Sequence, residues 1–212
     1  MIIVVGGIKG GCGKTTIATN LTVLRSKLDK KKVLLVDTDE QKSASTWALQ
    51  REERGFITDW TTIHISGAAV RHQIQKMRAD YDDIIIDVAG RDTISQRSAL
   101  TIADIYLIPF LPRSYDIWTI SFVSTLIQEL HLINEKLKSY AFISQGDSQG
   151  KDNEEAIEII KSTEFITCIP HIIYRRKAYA NAATNGLGII ETEIIDKKAE
   201  KEMVDLFRYI FP

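Results

Sequence analysis

Short apolar, β-branched runs alternate along this chain with stretches whose apolar residues recur every three to four positions. IIVVGGI (2–8) reads as a buried strand, and Ile17, Leu21, Leu24 and Leu28 then mark a helix from Lys14 to Leu28. KVLLVD (32–37) predicts a second strand, Ser43–Arg54 a helix, TIHIS (62–66) a strand and residues 67–81 a helix. DIIIDV (83–88) and DIYLIPF (104–110) predict strands, Tyr115–Leu137 a long helix, and YAFIS (140–144) a strand. Helices are expected at 153–162, 177–185 and 196–210, with FITCIPHI (165–172) extended. Strands that end on a polar residue and lead into helices imply parallel βαβ units with right-handed crossovers. The expected fold is therefore α/β, a three-layer architecture with a mostly parallel sheet between helices. Ligands then sit beyond the carboxyl ends of the strands, where Asp37, Asp39 and Asp87 fall.

Composition narrows the picture. A length of 212 residues with no linker or repeat fits one domain over 1–212. With 27 basic and 28 acidic side chains the net charge is −1, so attraction to nucleic acid has to come from a local patch. Such patches are Arg175, Arg176 and Lys177, and separately Lys197, Lys198 and Lys201. The two cysteines, Cys12 and Cys168, have no metal-ligand spacing, which fits a reducing, cytoplasmic compartment. No apolar run approaches the ~20 residues that span a bilayer. The N-terminus carries no basic region of a signal peptide.

The chemistry concentrates at KGGCGKTT (9–16), between a strand and a helix. Gly10, Gly11 and Gly13 let backbone N–H groups converge on an anion, and the following helix adds its positive end. Lys14 reaches β- and γ-phosphates, the Thr15 hydroxyl holds Mg²⁺ directly, and Thr16 bonds the α-phosphate. Cys12 occupies the variable position as a small residue; a helix N-terminus would also lower its thiol pKa and favour oxidation. The standard G-x-x-x-x-G-K-[ST] pattern requires glycine at position 8, where this chain has Ile8. Asp39 reads as the residue that orients an attacking water, or as part of a solvated strand end rich in acids. Asp37, on the same face two residues earlier, supports Mg²⁺ through water or holds the switch. Asp87 ends an apolar strand and reads as an outer-shell Mg²⁺ partner or a helix N-cap. The Gly90 N–H approaches the γ-phosphate, or the glycine only permits the turn.

KGGCGKTT resembles the deviant Walker A motif, K-G-G-x-G-K-[ST], of the ParA/MinD family of P-loop ATPases. VLLVDTDEQKSASTW (33–47) is similar to that family's D-x-D-P-Q segment, with Glu40 in place of the proline. YDDIIIDVAG (81–90) resembles its Walker B strand and switch loop. ADIYLIPFLPRSYDI (103–117) and YRRKAYANAATNGLGIIETE (174–193) resemble its later segments, so the likeness spans nearly the whole chain. The short length is most like the ParF-type plasmid partition ATPases. The resemblance implies an Mg²⁺-dependent ATPase converting ATP to ADP and phosphate. It also implies a second role for lysine: Lys14 serves its own subunit, and Lys9 crosses to the nucleotide of the partner in an ATP-sandwich homodimer. Further implications are non-specific DNA binding (Arg175, Arg176, Lys177), nucleoid association, and a centromere-binding adaptor of the ParB/ParG kind that triggers hydrolysis during DNA segregation. A MinD-like membrane-associated or other cargo-positioning ATPase is the alternative. The stripe Ala199, Met203, Leu206, Phe207 and Ile210 reads as core rather than membrane anchor, and Glu200, Glu202 and Asp205 disfavour anionic lipid, so no membrane partner is expected. Redox relatives need cluster cysteines that this chain lacks after its Walker B strand.

Overall fold

The computed structural model describes residues 1–113 and 118–212, so the first residues of the helix expected from Tyr115 lie outside it. The strands are β1 (Ile2–Val5), β2 (Val33–Asp37), β3 (Thr61–His64), β4 (Asp83–Asp87), β5 (Ile105–Phe110), β6 (Lys138–Gly146), β7 (Thr167–Cys168) and β8 (Ile173–Tyr174). All pair in parallel, in the order β3-β2-β4-β1-β5-β6-β7, with β8 also on β6. The helices are α1 (Lys14–Lys27), α2 (Ser43–Glu53), α3 (Ala69–Met77), α4 (Ile94–Leu100), α5 (Ile120–His131), α6 (Asp152–Lys161), α7 (Lys177–Thr184) and α8 (Lys197–Ile210).

Strand side chains alternate between two apolar layers, which is why the strands read as unbroken apolar runs. Ile2, Val4, Leu34, Val36, Ile84 and Ile86 pack against Val70 and Ile74 of α3, Leu100 of α4, and Val123 and Ile127 of α5. Ile3, Val5, Leu35, Ile85 and Leu107 face Ile17, Leu21 and Leu24 of α1, Trp47 of α2, and Met203, Leu206 and Phe207 of α8. The α8 stripe is thus part of the core. The expected three layers are present, and no described helix is long and apolar enough to cross a membrane.

Two expectations are corrected, and one element had none. The long helix stops at His131, because Asn134 turns the chain and donates to Leu100 O and Ala103 O (2.9 and 2.8 Å), leaving Leu132 and Ile133 in solvent. The extended stretch 165–172 holds only the two-residue strand β7, and β8 begins just beyond it at Ile173, with Pro170, which lacks an N–H for a ladder, between the two. Helix α4 has no apolar period and no counterpart among the predicted elements; Thr93 caps it by accepting from Gln96 N (3.1 Å).

One buried ion pair fixes the wall that carries α7. Arg51 of α2 donates to both carboxylate oxygens of Glu191 (2.7 Å each), to Gly186 O and to Ile57 O; Lys27 also reaches Glu191 (3.0 Å). Burial raises the Glu191 pKa, but Arg51, the Gly188 N–H and Lys27 outweigh it and hold the group below its ordinary value. A depressed folded pKa contributes stability above the ordinary glutamate range and loses it as pH falls through the folded value. Glu191→Gln should therefore cost about 3 kcal/mol at pH 7, since it strands the buried Arg51. The difference from wild type should shrink below pH ~4. Urea unfolding at both pH values checks this; a pH-independent difference would contradict it.

Candidate nucleotide site

The chain leaves the central strand β1 at Gly6, whose N–H still bonds Leu107 O (3.0 Å), and turns into the glycine loop. Gly11 (φ +79°) and Gly13 (φ +87°) are left-handed, a conformation that ordinary side chains disfavour. A Cβ on Gly13 would also lie 3.2 Å from Ser144 Oγ. Gly13 is the N-cap of α1 and offers no side-chain cap, so the first helical N–H groups stay available to an anion. Lys14 is buried, and its Nζ donates to Lys9 O (2.7 Å), folding the cation against its own loop. Cys12 is buried beneath the loop, 3.7 Å from Lys14 Nζ, in keeping with a small space-filling residue. Lys9, by contrast, is exposed at the mouth of the loop.

Two carboxylates close the site from below. Asp37 and Asp87 are register partners on β2 and β4, both fully buried. Thr15 Oγ1 donates to Asp87 Oδ2 (2.7 Å), while Asp87 Oδ1 is buried with no partner. Burial, opposed by the Thr15 hydrogen bond and aided by the nearby Asp37, pushes the Asp87 carboxyl up to about 7. Asp37 accepts from Asp39 N (3.0 Å) and Ser45 N (2.8 Å), bracing the turn into α2. Half-buried Asp39 stands on that turn and accepts from Gln41 N (3.0 Å). The orphaned Asp87 oxygen beside a threonine hydroxyl fits a hard, oxygen-seeking cation. Among the described residues no group of three His, Cys, Asp or Glu has metal-binding geometry. Such a cation would therefore draw much of its shell from phosphate and water, as Mg²⁺ does.

Gly90, on the loop after β4, leans on the phosphate loop itself. A Cβ there would lie 2.5 Å from Gly10 Cα and 2.7 Å from Lys9 O. Gly90→Ala should push the loop out of register and weaken nucleotide binding about tenfold, consistent with the 1–3 kcal/mol typical of overpacking. Titration with a fluorescent ATP analogue tests this, and unchanged affinity would refute the contact.

A cavity of about 510 Å³ opens beside the loop, lined by Gly13, Thr16, Ser144, Gln145, Tyr174 and Arg176 among others. It has the size and place for a nucleoside. Arg175 and Lys177 also line it and are exposed. Arg176 is instead paired with Glu202 (Nε to Oε1, 2.9 Å), so the basic triplet is not one free patch. Gln145, with a left-handed backbone (φ +53°), donates from Nε2 to Gly11 O (2.6 Å), a link that sequence pattern does not disclose. A larger cavity of about 600 Å³, near Phe56, Asn181 and Ile194, lies away from the phosphate loop.

Residues 3–189 match the model of the CobQ/CobB/MinD/ParA nucleotide-binding domain. The chain is 23% identical over 211 residues to the maintenance of carboxysome distribution protein A of Halothiobacillus neapolitanus, covering 98% of this chain and 95% of that one. It is 29% identical over 206 residues to the protein ParA of Rhizobium radiobacter, covering 93% and 79%. An ATP complex of a Cyanothece McdA variant superposes with a TM-score of 0.77 at 18% identity, over 99% of this chain and 95% of that one.

Proposed function

The chain belongs to the CobQ/CobB/MinD/ParA nucleotide-binding family as a ParA/MinD-type ATPase, and on that premise we propose that it is a DNA-partition ATPase that closes into an ATP-sandwich dimer. The observation that carries this reading is the unlike placement of the two loop lysines. Lys14 is buried inside its own loop, whereas Lys9 is exposed at the mouth, where a second subunit's phosphates can meet it. Two ATP molecules facing each other repel, and a cation supplied from the opposite subunit offsets that repulsion. Assembly then depends on the nucleotide.

Within each subunit, the amides of residues 10–16 and Lys14 hold the phosphates. Thr15, with Asp87 and Asp37 behind it through water, would hold Mg²⁺. When bound, that ion neutralises the phosphate charge that grows during transfer. Asp39 orients the attacking water, Gly90 brings its backbone to the terminal phosphate, and the single domain 1–212 carries the whole cycle. Hydrolysis releases the dimer, and a small centromere-binding adaptor accelerates it. The carboxysome-distribution relative, matched over nearly the full length of both chains, favours a second reading in which the same engine positions a different cargo.

DNA contact falls to exposed Arg175 and Lys177, because Arg176 is held by Glu202. Dimerisation doubles these cations on one surface, and affinity for duplex rises steeply with phosphates neutralised. The ATP-loaded protein should bind random-sequence duplex, which would account for nucleoid association, and leave anionic liposomes alone. Replacing Arg175 and Lys177 by alanine should flatten the slope of log affinity against log salt by roughly 0.9 per cation lost. Binding to liposomes but not to DNA would overturn the partition reading in favour of a membrane-associated one.

A further inference from the structure

Beyond the residues that meet nucleotide, the segment 88–96 holds the phosphate loop at two points. At the tip, Gly90 abuts Lys9 and Gly10. At the root, where the pairing of β1 with β4 ends at Val88 N to Val5 O (3.2 Å), the next free amide is Gly7. Its N–H donates to Oε1 of Gln96 on α4 (3.4 Å). Gln96 is completely buried, and its oxygen lies 3.1 Å from where a Cβ on Gly6 would stand. Its Nε2 is buried with no partner, and so is the hydroxyl of Tyr106, whose ring also flanks Gly6. A buried amide serving one backbone N–H, with its own donor unmet, is a costly choice for a core position.

We propose that Gln96 is a positioning residue for ATP hydrolysis, joining the loop after β4 to the root of the phosphate loop. This rests on the ATPase reading above. With the root pinned, a terminal phosphate pressing on Gly90 must move the tip and the 88–96 segment together. The segment then arrives in register with the phosphate. Ground-state binding draws on the amides of residues 10–16 and on Lys14, none of which Gln96 touches. Its loss therefore falls on turnover rather than on affinity.

The test uses full-length protein and two variants. Gln96→Met keeps length and volume but removes the acceptor; Gln96→Glu keeps an oxygen within reach of Gly7. Gln96→Met should lower kcat about tenfold with KM changed less than threefold, and Gln96→Glu should recover at least half of that loss. Exchange of the Gly7 amide with deuterium should quicken in Gln96→Met and be restored in Gln96→Glu, which reads the bond itself even if a variant is less stable. Wild-type kcat in Gln96→Met, or Gln96→Glu no better than Gln96→Met, overturns the inference while wild-type turnover stands. A wild type that neither binds nor hydrolyses ATP overturns the ATPase reading and this inference with it.

Discussion

Lys14→Ala should lose ATP binding by at least a hundredfold while remaining folded. The ammonium is buried against Lys9 O, and a phosphate offers it a far stronger, charge-assisted partner than a carbonyl does. Charged hydrogen bonds contribute roughly 1.5–3 kcal/mol each, and a buried site screens them little. Its bonded partners are a carbonyl and a thiol, and its charge also lowers the pKa of buried Asp87; without it that carboxyl moves further toward its neutral form rather than staying charged and unpaired, so the unfolding midpoint should move by only a few degrees. Isothermal titration with ATP, alongside thermal unfolding without nucleotide, separates the two effects. Retained affinity in a folded variant would remove Lys14 from the phosphate site.

Asp39→Ala should have the opposite profile: ATP bound within threefold of wild type, and turnover reduced a hundredfold or more, the range in which a positioned proton acceptor acts. Asp39 is half-buried, and the one bond of its carboxylate among the described contacts is from Gln41 N to Oδ1, so its other oxygen is available to a water. Asp37 is not expected to take over, because it is fully buried behind Thr15 and braces the turn through Asp39 N and Ser45 N. Phosphate release under single-turnover conditions measures the step. Wild-type turnover would move the role elsewhere and leave Asp39 as a turn-former.

Where an element buries a continuous apolar stripe, its sequence disclosed it. This holds for α1 with Ile17, Leu21 and Leu24, for α8 with Met203 and Phe207, and for the strands between the two layers. Helix α4 was illegible because Ser95 and Gln96 are buried as polar residues, held by neighbours rather than by an apolar face. The phosphate loop was legible because its glycines and lysines are fixed by backbone geometry within eight residues. Contacts made across the sheet were not: Gln145 to Gly11, Gln96 to Gly7 and Gly90 to Gly10 depend on register between distant segments. For Asp37, sequence left open a water-mediated cation contact or a structural hold on the switch, and the bonds to Asp39 and Ser45 supply the hold. Arg176 read as a free cation only because Glu202, 26 residues away, is not visible as its partner from sequence.

The central claim is that ATP, through Lys9, brings two subunits together. The most direct test is the mass in solution of Asp39→Ala, expected to hold ATP without turnover, measured by light scattering with ADP, with ATP, and again with Lys9→Ala added. The account predicts one chain of 23.9 kDa with ADP, twice that mass with ATP, and a single chain with ATP once Lys9 is replaced. The same mass with both nucleotides, or an ATP dimer of undiminished affinity without Lys9, would contradict it.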